Sequence, residues 1–313
     1  MSFSGDVKEE LSRQVANARH CNIAEIAAII SLCGKVTLNY DKNDYKIIIS
    51  TENTTIARKY FTLVKKTFNI NTEVLIRRNA YLRRNRSYIL KIQGKEKVTK
   101  ILTTEKMIDD NGEFLNDNLA NGLIIQKSCC RRAFLRGAFL AAGSISDPEK
   151  FYHFEIVCPT LEKAKGLVNI ITGFGVEAKI VPRKKNHVVY VKEGAVIVEL
   201  LNIMEAHISL MNLENIRIVK EMRNSVNRKV NCETANINKT VSAAVRQIDA
   251  IKFIQAKKGL DSLPANLEEI AILRLENPEV ALKELGQMLN PPVGKSGVNH
   301  RLRKIIEIAD ELR

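Results

Sequence analysis

Seven residues near the end of the chain, Lys295, Ser296, Asn299, His300, Arg301, Arg303 and Lys304, carry side chains suited to holding or reading a polyanion. An Asn amide presents a donor and an acceptor side by side, which matches an adenine edge, whereas a guanidinium matches guanine or a phosphate. These residues surround an apolar series, Val298, Leu302, Ile305, Ala309 and Leu312, at helical spacing. A helix with such a buried side is fixed in angle, and donors on its leading turns are placed to enter a major groove. A terminal helical hairpin used for packing or subunit contact has the same apolar spacing, so both readings stand on these residues alone.

Other reactive residues are sparse. The cysteines, Cys21, Cys33, Cys129, Cys130, Cys158 and Cys232, form no CxxC pair and have no histidines at zinc-finger spacing. We read them as core or near-core thiols of a reducing cytoplasm, with no metal, no cofactor and no catalytic residue.

The donor-rich helix needs partners, and the sequence before it supplies them. Leu267, Ile270, Ala271 and Leu273 predict one short helix, which Asn277 and Pro278 end before serving as cap and first-turn residue of the next. Val280, Leu282, Leu285 and Leu289 predict a second helix packed inward, broken at Asn290 to Gly294. Further upstream, Val241, Ala244, Ile248, Ile251 and Ile254 lie at helical spacing.

The first two thirds of the chain read differently. Ala24 to Gly34 predicts a small-residue helix ended by glycine, followed by strands at Val36 to Tyr40 and Tyr45 to Ser50 joined by a turn over Asp41 to Asp44. A helix over Thr55 to Phe68, strands at Glu73 to Arg78 and Tyr88 to Gln93, and a helix from Lys95 follow. The order recurs with a helix over Ala133 to Gly143, a strand over Phe151 to Cys158, a helix over Leu161 to Phe174, strands at Val176 to Arg183 and His187 to Val191, and a helix over Ala195 to Met204. An ordered αββαββ series met twice predicts internal duplication. Gly137, Ala138, Ala141, Ala142 and Gly143, with Ala27, Ala28, Cys33 and Gly34 in the first half, suit either a closely paired pair of helices or ordinary alanine-rich core helices. The expected division is 1–205 for the duplicated domain, 206–229 for a linker region containing a helix near Asn215 to Arg228, and 230–313 for the helical domain.

Charge narrows the partners. The chain of 313 residues carries a formal net charge of +14, concentrated from Arg58 to Lys100 and from Arg217 to Lys258, and such a field attracts polyanions. No run approaches the roughly 20 apolar residues that a membrane helix needs, so no membrane partner and a cytoplasmic location are expected.

Three stretches, RRAFLRGAFLAAGSISDP, LKELGQML and GKSGVNHRLRKI, are more specific than any generic pattern, and with them the chain resembles the WhiA sporulation and cell-division regulators of Gram-positive bacteria over essentially its full length. The resemblance implies an α+β protein: a duplicated, degenerate LAGLIDADG homing-endonuclease-like αββαββα domain, then an all-α helix-turn-helix domain resembling sigma factor region 4. It implies sequence-specific binding of double-stranded DNA, nucleoid association, and transcriptional control in cell division, chromosome segregation and, in spore formers, sporulation. Another transcription regulator or RNA polymerase is the implied class of protein partner.

In catalytic LAGLIDADG relatives an acid precedes the final glycine of each paired helix, and the two acids hold a divalent metal for phosphodiester cleavage. Cys33 and Ala142 stand at those positions, and neither supplies a hard anionic oxygen. Asp41 and Asp147 lie beyond the glycines. A protein without nuclease activity is therefore expected. The alternatives are a DNA-associated scaffold recruiting another regulator through the duplicated domain, and a metal-dependent endonuclease.

Overall fold

The computed structural model describes residues 2–39, 43–78, 86–115 and 118–313. Two compact units, Met1–Lys220 and Glu221–Arg313, make up the chain. The first opens on α1 (Phe3–Arg13), which the sequence reading left unassigned; Gly5 N–H donates to the Ser2 side chain at its start, and Val7 and Leu11 are buried.

Two repeats follow. The first is α2 (Arg19–Cys33), β1 (Gly34–Asn39), β2 (Asp44–Thr51), α3 (Thr54–Phe68), β3 (Glu73–Arg78), β4 (Arg86–Gln93) and α4 (Lys95–Thr104). The second is α5 (Ser128–Ala142), β5 (Gly143–Ile145), β6 (Phe154–Cys158), α6 (Leu161–Thr172), β7 (Lys179–Arg183), β8 (Asn186–Val191) and α7 (Gly194–Met204). Each is an αββαββα unit with an antiparallel sheet, in the orders β1-β2-β4-β3 and β5-β6-β8-β7. The expected turn over Asp41 to Asp44 lies partly outside the described residues.

Three differences from the expected elements have local causes. β5 is only three residues long and starts at the glycine that ends α5, so no alternation could reveal it. α2 and α5 each begin one turn before the small-residue runs, at Arg19 and Ser128, behind Ala18 and Lys127, whose side chains provide no cap bond. β6 begins at Phe154, because the preceding Lys150 and Phe151 amides turn back onto the Asp147 carbonyl.

One core joins both repeats. Alternation along β2 buries Tyr45, Ile47 and Ile49 beneath the helices and turns Lys46, Ile48 and Ser50 to the opposite face. The repeats meet through α2 and α5, which pack along each other. The approach is close: a Cβ built on Gly137 of α5 would lie 2.5 Å from the Glu25 carbonyl oxygen of α2. Glycine is required there for space, not for backbone angle.

A charged cluster is buried beside this crossing. Fully buried Glu25 pairs with Lys59 of α3 and, at 3.4 Å, with Arg136 of α5. Arg136 also donates to Glu205 Oε2 (2.7 Å), Gln14 Oε1 (3.2 Å) and the Met204 carbonyl (3.4 Å), while Lys59 donates to the Leu11 carbonyl (2.8 Å). Burial pulls the Lys59 ammonium below its ordinary range against the pull of Glu25. Charges taken this far from water persist only when paired and hydrogen-bonded.

Between the expected boundaries at 206 and 229 the backbone is helical from His207, in a single helix, α8 (His207–Lys258), that contains neither glycine nor proline. It ends at Gly259, whose φ of +83° suits a residue without a side chain. The second unit then adds α9 (Ala265–Glu276), α10 (Leu282–Met288) and α11 (Lys295–Glu311). Its core takes Ala250, Ile251 and Ile254 from α8, whereas Val241, expected on the same face, is exposed.

Two outcomes are expected of the fold. Gly137→Val should lower stability to urea by about 1 to 3 kcal/mol through overpacking, while Gly122→Ala, in open space, should change it by less than about 0.5 kcal/mol; an unaffected Gly137 variant would show that the helices need not approach closely. The second concerns Glu105, a buried residue just past α4 whose carboxyl oxygens have no hydrogen-bond partner. Burial raises its carboxyl well above the ordinary range, against the pull of Arg19. Folded Glu105 thus keeps a proton that unfolded Glu105 releases near pH about 4.3, so its contribution falls as pH rises from there toward the raised folded value. Glu105→Gln should therefore gain stability on the wild type as pH is raised from about 5 to about 8, and a constant difference between the two unfolding curves would refute this.

Candidate nucleic-acid interface

Packing within the second unit sets the angle of α11. Val298, Leu302, Ile305 and Ala309 are buried along one side of α11, against α9 and α10. The turn before α11 is tight: Val293 N–H donates to the Gly286 carbonyl at 2.8 Å, and a Cβ on Gly286 would lie 2.0 Å from the Val293 carbonyl oxygen. Gly286 is thus the point at which α10 admits the turn. The second helix begins later than expected, at Leu282; Asn277 instead caps the end of α9, its side-chain amide donating to the Leu273 carbonyl, and Pro278 lies between the helices. Buried Arg274 holds this connection by donating to the Val280 carbonyl at 2.7 Å. The sequence reading missed Arg274, because a cation within an apolar series looks like a surface residue.

The structure brings all seven donor residues onto the first three turns of α11. Lys295, Ser296, His300, Arg303 and Lys304 are exposed, and Asn299 and Arg301 are half-buried. Arg301 is turned back toward α9, donating to the Asn266 carbonyl at 3.4 Å, so Arg303 and Lys304 are the more outward cations.

A second polar surface lies on the sheet faces turned away from the helices. In the first repeat a cross-strand row runs Lys35, Ile48, Lys91, Glu73, with Lys46 opposite Gln93 in the neighbouring row. In the second repeat the row is Ser144, Glu155, Tyr190, Lys179. Arg183 binds Glu155 through both carboxylate oxygens (3.1 and 2.9 Å), which Ser144 and His153 also approach at 3.2 Å. Although burial pushes Glu155 up, these hydrogen bonds hold its carboxyl below the ordinary range. The second face thus neutralises one of its own cations.

At the ends of the paired helices, where a cleaving relative has two acids, Cys33 donates to the Ile29 carbonyl at 3.2 Å and Ala142 offers no donor atom. Burial pushes the Cys33 thiol up to about 12, against the pull of Lys8. Lys8 lies over the Phe139 ring at 5.8 Å, so the nearby charge is cationic and would oppose a metal ion. Asp147 is exposed in its own turn, accepting Glu149 N–H at 3.0 Å, and Asp41 lies outside the described residues. Among the described residues no helix is long and apolar enough to cross a membrane.

The cysteines depart from the expectation of core thiols. Cys21, Cys130 and Cys158 are buried and Cys33 is half-buried, but Cys129 and Cys232 are exposed. Moreover, Cys21, Cys129 and Cys130 converge with His20, their ligand atoms all within 4.8 Å of one another. That convergence was invisible in sequence because its halves lie in separate repeats.

Comparisons with known proteins agree along the whole chain. The WhiA N-terminal LAGLIDADG-like domain matches residues 19–107, the WhiA LAGLIDADG-like domain residues 131–223, and the WhiA C-terminal HTH domain residues 226–309. A probable cell division protein WhiA of Lachnoclostridium phytofermentans is 57% identical over 313 residues, covering 100% of both chains. Another, from Alkaliphilus oremlandii, is 51% identical over 314 residues, covering 100% of this chain and 98% of the relative. The crystal structure of full-length WhiA from Thermatoga maritima is similar at 26% identity and a TM-score of 0.61, with 99% of each chain covered. A duplicated LAGLIDADG-like domain whose helix ends carry Cys33 and Ala142 in place of acids, followed by a helix-turn-helix, places the chain in the WhiA family.

Proposed function

We propose that this chain is a regulator that binds specific double-stranded DNA sequences through α11, acts on the nucleoid in the cytoplasm, and serves cell division, with chromosome segregation and sporulation as associated processes in lineages that have them. The observation that carries the proposal is the division of α11 into a buried apolar side and donor-bearing leading turns, held in angle by the close turn at Gly286. Cell division is the process for which the relatives from Lachnoclostridium phytofermentans and Alkaliphilus oremlandii are named.

Affinity has a second source in this reading. Acidic Glu307, Asp310 and Glu311 follow the cations along α11, so the helix carries little of the net charge of +14. Cations of the first sheet face, Lys35 and Lys91, and of α8, Arg223, Arg228 and Lys229, supply phosphate contacts that position the protein without reading sequence. The duplicated domain keeps a nuclease-like architecture and cleaves nothing, because Cys33 and Ala142 give a hard divalent ion no anionic ligand.

The test is binding of the full chain to a mapped genomic target and to a scrambled duplex across a salt series. Arg303→Ala or Asn299→Ala should shrink the difference between the two duplexes by about 1 to 3 kcal/mol. Lys91→Ala should weaken both alike and lower the logarithmic salt slope by about one. Variants of α11 that left target preference intact would move specificity elsewhere. Incubating the bound target with Mg²⁺ or Mn²⁺ should leave strand breaks at background, and metal-dependent cleavage abolished by Asp147→Ala would overturn the non-catalytic assignment.

A further inference from the structure

His20 and Cys21 are the second and third residues of α2, and Cys129 and Cys130 are the second and third residues of α5. The two helices have the same length and end on matching glycines, so the repeat places the pairs at equivalent positions, His20 with Cys129 and Cys21 with Cys130. His20 Nδ1 lies 3.2 Å from Cys130 Sγ and 3.3 Å from Cys21 Sγ, and the four ligand atoms lie within 4.8 Å of one another. The cluster sits at the opposite end of the paired helices from Cys33 and Ala142.

We propose that His20, Cys21, Cys129 and Cys130 bind one Zn²⁺ as a structural Cys₃His site that staples the two repeats together at the start of their paired helices. Three thiolates and an imidazole select a thiophilic ion of tetrahedral preference over Mg²⁺ or Ca²⁺. With Zn–S near 2.3 Å and Zn–N near 2.0 to 2.1 Å, a tetrahedron has edges of about 3.5 to 3.8 Å. The two shortest separations, 3.2 and 3.3 Å, need to open slightly, and none, being within 4.8 Å, needs to close by more than about 1 Å, which side-chain rotation at helix starts can supply. Hydrophobic packing alone does not account for the group, since His20 and Cys129 are exposed while Cys21 and Cys130 are buried. An arrangement with two inner and two outer ligands closes from the solvent side.

The ion has no role in cleavage. All four ligands are filled by protein, so it keeps no open position for water or phosphate. Its effect is on the domain: two ligands come from each repeat, and metal binding joins segments whose separation in sequence makes closure entropically costly.

The experiment uses the full chain, purified without chelator from cells grown with zinc. Elemental analysis should find one zinc per chain, and replacement by Co²⁺ should give the visible bands and near-ultraviolet thiolate charge transfer of a tetrahedral site. Cys129→Ser with Cys130→Ser should abolish both signals, and His20→Gln should weaken Co²⁺ binding by about tenfold or more. Cys232→Ser should retain full metal content. Should the double variant fail to fold, alkylation of the wild type decides: exposed Cys129 should react about tenfold or more slowly until a chelator is added. The proposal falls if the wild type carries no zinc and gives cobalt no tetrahedral spectrum, or if the double variant keeps its metal. It falls equally if Cys129 reacts at one rate with and without chelator, or if peptide mapping finds any two of Cys21, Cys129 and Cys130 joined by a disulfide in freshly purified protein.

Discussion

At the crossing of α2 and α5 the backbones approach so closely that the Glu25 carbonyl occupies the space a side chain at position 137 would need. The rest of the first unit is arranged around that contact. A glycine on one helix and alanines on both allow two repeats to share a single core instead of each closing on its own. The charged cluster beside the crossing adds direction to this contact. Glu25 draws Lys59 from α3 and Arg136 from α5, and Arg136 reaches the end of α7 through Met204 and Glu205. Apolar packing tolerates small shifts, but Glu25, Lys59 and Arg136, three buried charges that must neutralise one another away from water, tolerate few. The cluster therefore fixes the relative register of the helices that the glycine lets approach.

Because the two repeats depend on a packing contact in the middle of the paired helices, the chemistry at the helix ends is free to vary. Neither Cys33 nor Ala142 is an acid, and a lysine lies near Cys33. Phe139, one turn before Ala142, stacks on Phe154 of β6 with ring centroids 5.4 Å apart, so apolar packing holds this end of α5 against its sheet. The fold closes without the metal ligands that a nuclease needs, because the contact at Gly137 and the packing of Phe139 on Phe154 hold the helices.

Much of this was legible in the chain. The short strand-like runs Tyr45 to Ser50 and Glu73 to Arg78 marked strands that the structure contains, and the small-residue runs before Gly34 and Gly143 marked the paired helices. The helical stripe from Val298 to Ala309 foretold both the buried side of α11 and the exposure of Arg303 and Lys304. What failed to show was whatever lacks a periodic or chemical signature. α2 and α5 start without a capping side chain, so their first turns looked like loop. β5 is too short to alternate, and α8 runs unbroken through a charged, asparagine-rich stretch that composition suggested was a boundary. The buried Glu25, Lys59 and Arg136 were unreadable because each looks like a surface residue until its partners arrive from elsewhere in the chain.

The same uncapped first turns explain why the cysteine and histidine cluster escaped sequence reasoning. A metal site within one segment announces itself by spacing, as in a CxxC pair, because the ligands must reach one ion from one short piece of backbone. His20–Cys21 and Cys129–Cys130 are adjacent pairs on separate helices, and adjacency within a pair is too tight a spacing to suggest a shared ion. Only the duplication joins them: when two equal helices pair side by side and run in the same direction from equivalent starts, any residue near the start of one meets its counterpart near the start of the other. A reading that treats the repeats as a source of symmetric contacts, instead of only as evidence of ancestry, has a reason to compare the two helix starts position by position. Once α2 is extended back to Arg19 and α5 to Ser128, that comparison alone brings the four ligands together.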